Sequence, residues 1–308
     1  MTNSVGKASR FTWRLARNIL CSTRYGRRLL FPPQKLACRF GRGDAEYAIS
    51  VFLHHYRQLS AAGFTVADRI LELGPGRNVG TTLLMWALNH KRLDKPVTAI
   101  LWDVFPNMVV DRGALMEAAR ALLDSPSLRD LSDALPNDAI DGTISMVAKG
   151  ELLPDIRYHV SPLAELIESG QASDVALVYS QAAIEHVWHV SDFWKAIIGL
   201  TRTPGGWHSH RIDLADHGRR DTNYIEMLEW SPLSYWLTMR FVPGGITRWR
   251  ASMHTDFVVQ NGLAIRSATR VTRTELPIPR SRLNRTFRSL DDLDLRTTAI
   301  DLVAVKAG

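Results

Sequence analysis

Short apolar runs alternate with helix-patterned stretches along most of this chain, and that alternation limits what it can fold into. RILELG (Arg69–Gly74), VTAILWD (Val97–Asp103) and DVALVYS (Asp174–Ser180) each read as a buried strand, and IRYHV (Ile156–Val160) is a candidate strand. Helical patterns lie between or after them, at Thr81–Asn89, at Leu115–Leu123 and from Ala182 to about Thr201. A further helix spans Ala45–Ala62, and Gly63 is placed to stop it. The turn Pro204-Gly205-Gly206 leads into WHSHRIDL (Trp207–Leu214), and Gly262–Thr272 and Thr297–Lys306 close the chain as two strands. Strand–helix–strand order predicts an α/β fold with a doubly wound, mainly parallel sheet covered on both faces. In such sheets a ligand binds outside the carboxyl ends of the strands.

The chain has 308 residues, room for one large α/β domain with additions. No apolar run approaches the ~18 residues of a membrane span. The formal charge of +7 is unevenly placed. Residues 1–43 carry ten of the 38 Lys and Arg and no Asp or Glu, which leaves 28 basic against 31 acidic residues in 44–308. The basic character therefore belongs to the N-terminal segment. Cys21 and Cys38 form no CxxC pair, and two cysteines alone make no metal framework, so a reducing, cytoplasmic setting is expected.

Within the basic segment, Trp13, Leu15, Ile19 and Leu20 have helical spacing among arginines, and Pro32-Pro33 closes it. Three readings stay open: a helix packed on the domain with its arginines toward solvent, a surface for anionic lipid or substrate through residues 1–40, and an Arg-rich transit peptide. No nucleic-acid-binding module is recognisable.

ILELGPGRNVG (Ile70–Gly80) is a strand, a tight glycine turn and a helix start. Gly74 and Gly76 let the backbone turn and a ligand approach, and the helix N-terminus favours an anionic group. A dinucleotide fingerprint would need glycine at 79, where Val79 stands. Instead Glu72-x-Gly74-x-Gly76 resembles motif I of class I S-adenosylmethionine-dependent methyltransferases. The family's third glycine falls at 78, where this chain has Asn78, with Gly80 two residues on. Asp103 ends the second strand, where the resemblance implies a carboxylate for the ribose hydroxyls. SQAAIEHV (Ser180–Val187) and the Pro-Gly-Gly turn before the fifth strand are similar to the same family, and the likeness runs from Arg69 to about Leu214. It implies a Rossmann-like seven-stranded sheet with an antiparallel C-terminal pair. It also implies S-adenosyl-L-methionine as cofactor, held by Glu72, Gly74, Gly76, Asn78, Gly80, Asp103, Ser180 and Gln181. Ser161 stands where the family often has an acidic residue near the adenine.

For the chemistry, a hydroxyl acceptor needs a base, and His186 is the first candidate, with His217 second and Glu185 as an orienting partner. His208, His210, Asp213, Asp216 and His217 match no metal motif, and Asp213 should point away from His208 and His210 along a strand, so no metal is expected. Segments 104–155 and 216–255 exceed the core fold and are expected to form a lid over the site. The second contains Trp230, Tyr235, Trp236, Phe241 and Trp249 with Arg240, Arg248 and Arg250, suited to a sugar face, an aromatic ring or an anion. A small-molecule or glycan acceptor is thus expected. Two rival classes remain: an NAD(P)-dependent oxidoreductase, and a non-catalytic binding protein on the same fold.

Overall fold

The computed structural model describes residues 2–30, 42–93, 95–242 and 244–308. Pro32-Pro33 and Cys38 lie outside these residues. Seven strands form one sheet: β1 (Arg69–Leu73), β2 (Thr98–Asp103), β3 (Asp155–Val160), β4 (Leu177–Gln181), β5 (Trp207–Asp213), β6 (Leu263–Thr272) and β7 (Thr297–Lys306). Their order is β3-β2-β1-β4-β5-β7-β6. β1 pairs in parallel with β2 and β4, while β7 runs antiparallel between β5 and β6. This is a Rossmann-like sheet with an antiparallel C-terminal pair, as expected. The order reverses direction between β1 and β4, which places the crevice outside their carboxyl ends.

Twelve helices accompany the strands among the described residues: α1 (Thr2–Ser22), α2 (Arg24–Leu30), α3 (Arg42–Ala61), α4 (Gly80–Arg92), α5 (Arg112–Leu123), α6 (Pro126–Ala134), α7 (Asp141–Lys149), α8 (Leu163–Glu168), α9 (Val190–Leu200), α10 (Pro232–Met239), α11 (Ala251–Gln260) and α12 (Asp292–Arg296). Strand alternation sends Ile70 into one core layer and Leu71 and Leu73 into the other. The first layer holds Phe52 of α3, Leu84 and Leu88 of α4, Leu122 of α5 and Ile144 of α7. The second holds Trp194 and Ile197 of α9 with Val258 of α11. A third, smaller core gathers Tyr224, Trp230 and Tyr235 with Leu283, Phe287 and Leu295.

Three expectations change here. Segment 104–155 is mainly part of the first core layer, because α5 and α7 bury Ala118, Leu122, Ile144 and Val147 there. Only its first residues reach the site. The predicted helix from Ala182 is a 3₁₀ turn (Ile184–His186) followed by α9, because Ala182 takes a left-handed φ of 51° and the chain turns before the helix begins. Lastly, α1 packs on the domain with Arg14 and Arg17 turned inward. Arg14 pairs with Glu226 at 3.5 Å and lies 5.3 Å over the Trp230 ring, and Arg17 contacts the Met239 sulfur at 3.5 Å. Asn18 donates to the Leu237 carbonyl at 2.9 Å and accepts from the Phe241 N–H at 2.7 Å.

Candidate active site

The turn after β1 is shaped by two glycines. Gly74 and Gly76 both have φ of +64°. A Cβ on Gly74 would stand 2.7 Å from the Ala183 Cβ, whereas one on Gly76 would meet nothing within 4 Å. Gly74 therefore permits a close approach of two chain segments, and Gly76 leaves the loop open to a ligand. Asn78 has an ordinary backbone and works through its side chain. Its Oδ1 accepts from the Gly80 N–H at 2.8 Å, and its Nδ2 donates to the Asp44 carbonyl at 2.8 Å. The residue that departs from the three-glycine pattern thus ties the loop to α3.

Glu72 faces the first core layer, where Tyr179 donates to its Oε2 at 2.7 Å and Thr82 also donates. Burial pushes its carboxyl up to about 7, against the lowering effect of those two hydroxyls. Asp103, 7% exposed, accepts from the Phe105 N–H at 3.1 Å and from Asn107 Nδ2 at 2.8 Å. A carboxylate has about four acceptor positions, so these two bonds leave capacity for a diol.

Gly74, Gly76, Trp102, Asp103, Phe105 and His186 line one cavity of about 590 Å³, with Arg27, Trp188, Arg240 and Phe241 also on its wall. A second, of about 390 Å³, shares Gly74, Gly76 and Ala182 and adds Tyr47, Glu72, Asn78 and Gln181. A third, of about 300 Å³, meets the first at Val242 and Gly244 and is lined by Arg14, Arg17, His217 and Tyr235. The three predicted catalytic residues come together at this junction: side-chain donor atoms of Glu185, His186 and His217 lie within 4.8 Å of one another. The two rings meet edge to face, 5.3 Å apart.

Their electrostatics differ. Glu185 is fully buried with neither carboxylate oxygen hydrogen-bonded, and burial pushes it up to about 8. His186 donates from Nδ1 to the Gly245 carbonyl at 3.3 Å, and burial lowers its pKa. That bond selects the tautomer whose Nε2 carries the lone pair. His217 sits 3.3 Å from Asp213 through Nε2, and that carboxylate raises it. The same three donors are chemically able to converge on one cation.

Other predicted residues lie elsewhere. Ser180 is fully buried, bonded to His210 Nδ1 at 2.8 Å, and lines none of these three cavities. Ser161 donates its N–H to the Asp103 carbonyl and accepts from the Trp102 indole, without lining them either. His208 and His210 are core residues bonded to each other at 3.1 Å, on the opposite sheet face from Asp213. Of the insertion's arginines, Arg250 is buried and spent on the carbonyls of Leu214 and Asp294, and Arg248 donates to the Trp230 carbonyl. Only Arg240 of these lines the large cavity. Sequence reasoning missed Tyr47, Ala182, Trp188 and Arg27, and it did not pair Asp213 with His217, although their spacing of four residues was visible.

No protein-family model matches the chain, and no curated protein matches it. Solved structures with a similar fold include an S-adenosylmethionine dependent methyltransferase from Mesorhizobium loti, 15% identical, TM-score 0.39, with 82% of this chain and 97% of that one covered. The CurJ carbon methyltransferase is 11% identical, TM-score 0.43, over 100% of this chain and 71% of that one. The trans-methyltransferase CalH, solved with SAH, is 13% identical, TM-score 0.41, over 85% and 58%.

Proposed function

We propose that the protein is an S-adenosylmethionine-dependent methyltransferase acting on a hydroxyl of a small molecule or glycan. The observation that carries this reading is the shared cavity: Gly74, Gly76 and Asp103 line the same space as His186. The residues fit the cofactor on three counts. Gly76 leaves an open approach to the loop, Glu72 and Gln181 offer polar groups for the amino-acid end, and Asp103 retains acceptor capacity for the ribose. Trp102 and Phe105 give flat walls for the adenine. When bound, S-adenosylmethionine supplies a methyl group on a sulfonium, open to in-line attack by the acceptor oxygen.

The chain's own residues then position and deprotonate the acceptor. His186 would accept the hydroxyl proton on Nε2, while Gly245 holds the ring through Nδ1. The lowered pKa keeps His186 neutral near pH 7, ready to accept that proton. His217, backed by Asp213, is the second base beside it. Alignment of acceptor and methyl within the cavity contributes by proximity.

Calorimetric titration with S-adenosylhomocysteine and with NAD tests the cofactor. Binding of NAD without S-adenosylhomocysteine would sink the reading. Mass spectrometry of cell extract incubated with the protein and isotope-labelled S-adenosylmethionine identifies the acceptor.

A further inference from the structure

α1 packs Phe11 against Trp230 and buries Cys21, yet leaves other apolar side chains in water. Arg14, Arg17 and Asn18 face inward onto the insertion. The outward positions recur at helical spacing as Trp13, Ala16, Ile19 and Leu20, with Trp13 61% and Ile19 60% exposed. α2 extends the face with Tyr25 and Leu29, 84% and 77% exposed. α10, bound to α1 through Asn18, adds exposed Leu233 and Trp236 one turn apart, with Arg240 on the next turn. The Arg240 guanidinium lies 4.8 Å from the Trp236 ring and 5.3 Å from the Phe241 ring, and no carboxylate pairs with it among the described residues. Isolated apolar residues on a surface are ordinary, but large apolar side chains exposed on three adjoining helices mark a contact surface.

Charge indicates what covers it. Residues 1–43 carry ten Lys and Arg and no acid, while the rest of the chain is slightly acidic. Among the described side chains Arg14 and Arg17 are turned inward, so the charge beside the exposed apolar side chains is that of Arg27 and Arg240, which a neutral partner would leave unopposed. A bilayer with anionic headgroups matches both, since aromatic and aliphatic side chains enter the interface and Arg stays at the phosphate level. We infer that the α1–α2–α10 face docks on a membrane surface rich in anionic phospholipid. Arg27 and Arg240 line the large cavity, so docking brings that part of its wall to the headgroups. Resting on the methyl-transfer reading, the acceptor is then an amphiphile presented at the bilayer surface.

The test uses the full chain. Sedimentation with vesicles of equal parts phosphatidylcholine and phosphatidylglycerol is compared with pure phosphatidylcholine, for wild type and for the triple variant Ile19→Ser, Leu20→Ser, Leu29→Ser. Wild type is expected to bind the anionic vesicles, less so at high salt, and the variant about tenfold more weakly. The variant should keep the wild-type Tm and affinity for S-adenosylhomocysteine, which separates lost docking from lost fold. Absence of wild-type binding, or equal binding by the variant, overturns the inference. So does a dimer in light scattering that the variant abolishes without any vesicle binding, because a second copy then covers the face. If vesicles bind but S-adenosylhomocysteine does not, docking stands and the methyl-transfer reading fails.

Discussion

Substituting Gly74→Ala tests whether the glycine loop and the turn that carries Glu185 and His186 are held in contact by an absent methyl group. The added Cβ would lie 2.7 Å from the Ala183 Cβ, at a φ of +64°. A left-handed alanine costs about 1–2 kcal/mol, and forcing an extra methyl into a packed contact costs about 1–3 kcal/mol. The variant should therefore lose roughly 2–5 kcal/mol of stability, or release it by parting the loop from the turn that carries Glu185 and His186. Ala183→Gly removes the opposing methyl but leaves the backbone angle. The double variant is thus expected to recover the contact portion, about 1–3 kcal/mol, and to keep the conformational one. Urea unfolding of all four proteins measures the coupling, which cancels the chain-entropy cost of the new glycine at 183. Calorimetry with S-adenosylhomocysteine shows whether the loop recovers its ligand-binding shape. A coupling energy below about 0.5 kcal/mol would refute the reasoning, because the two positions would then behave as independent sites.

Asp103→Ala should weaken S-adenosylhomocysteine binding by about 1.5–3 kcal/mol, the worth of charged hydrogen bonds, and unchanged affinity would remove Asp103 from the ribose site. His186→Asn should abolish most turnover in a labelled-methyl assay while leaving S-adenosylhomocysteine affinity within about twofold, since the side chain binds no part of the cofactor in our reading. Glu185 has a folded pKa of about 8 against 4.5 for the free group, so the folded state holds its proton more tightly. Its contribution to stability is present below pH 4.5 and is lost as pH rises through about 8. Chemical denaturation across that range should show the decline, and Glu185→Gln should flatten it. Asp213→Asn removes the chief cause of the raised His217 pKa, so NMR titration of the ring should move to lower pH.

β1 and β2 were legible because a buried parallel strand is a continuous apolar run, and they begin and end within a residue or so of the runs that mark them, whereas the mostly polar β5 was marked by the Pro-Gly-Gly turn before it. The glycine loop and Asp103 were legible because they sit at strand ends. Side-chain direction was harder to read. Ser180 ends a strand as expected, but it shares the face of Val178 and points to His210 in the second core layer, whereas Gln181, one position on, lines a cavity. Asn78 was read through its backbone tolerance, yet its partner is the Asp44 carbonyl, 34 residues earlier. The facing of α1 depends on Glu226, Leu237 and Met239, all supplied by a remote insertion. Helical spacing shows that a helix has two faces and leaves open which one the protein covers.

That remoteness has a consequence for synthesis. Asn18 finds its acceptor and donor at Leu237 and Phe241, 219 and 223 residues later. At roughly 5–20 residues per second, the ribosome makes the first helix and then takes on the order of ten to forty seconds to deliver the helix that receives it. Through that interval Arg14, Arg17 and Asn18 lack their native neighbours. The nascent chain is therefore basic and amphipathic long before it is folded, and it leaves the exit tunnel already suited to engage a charged surface.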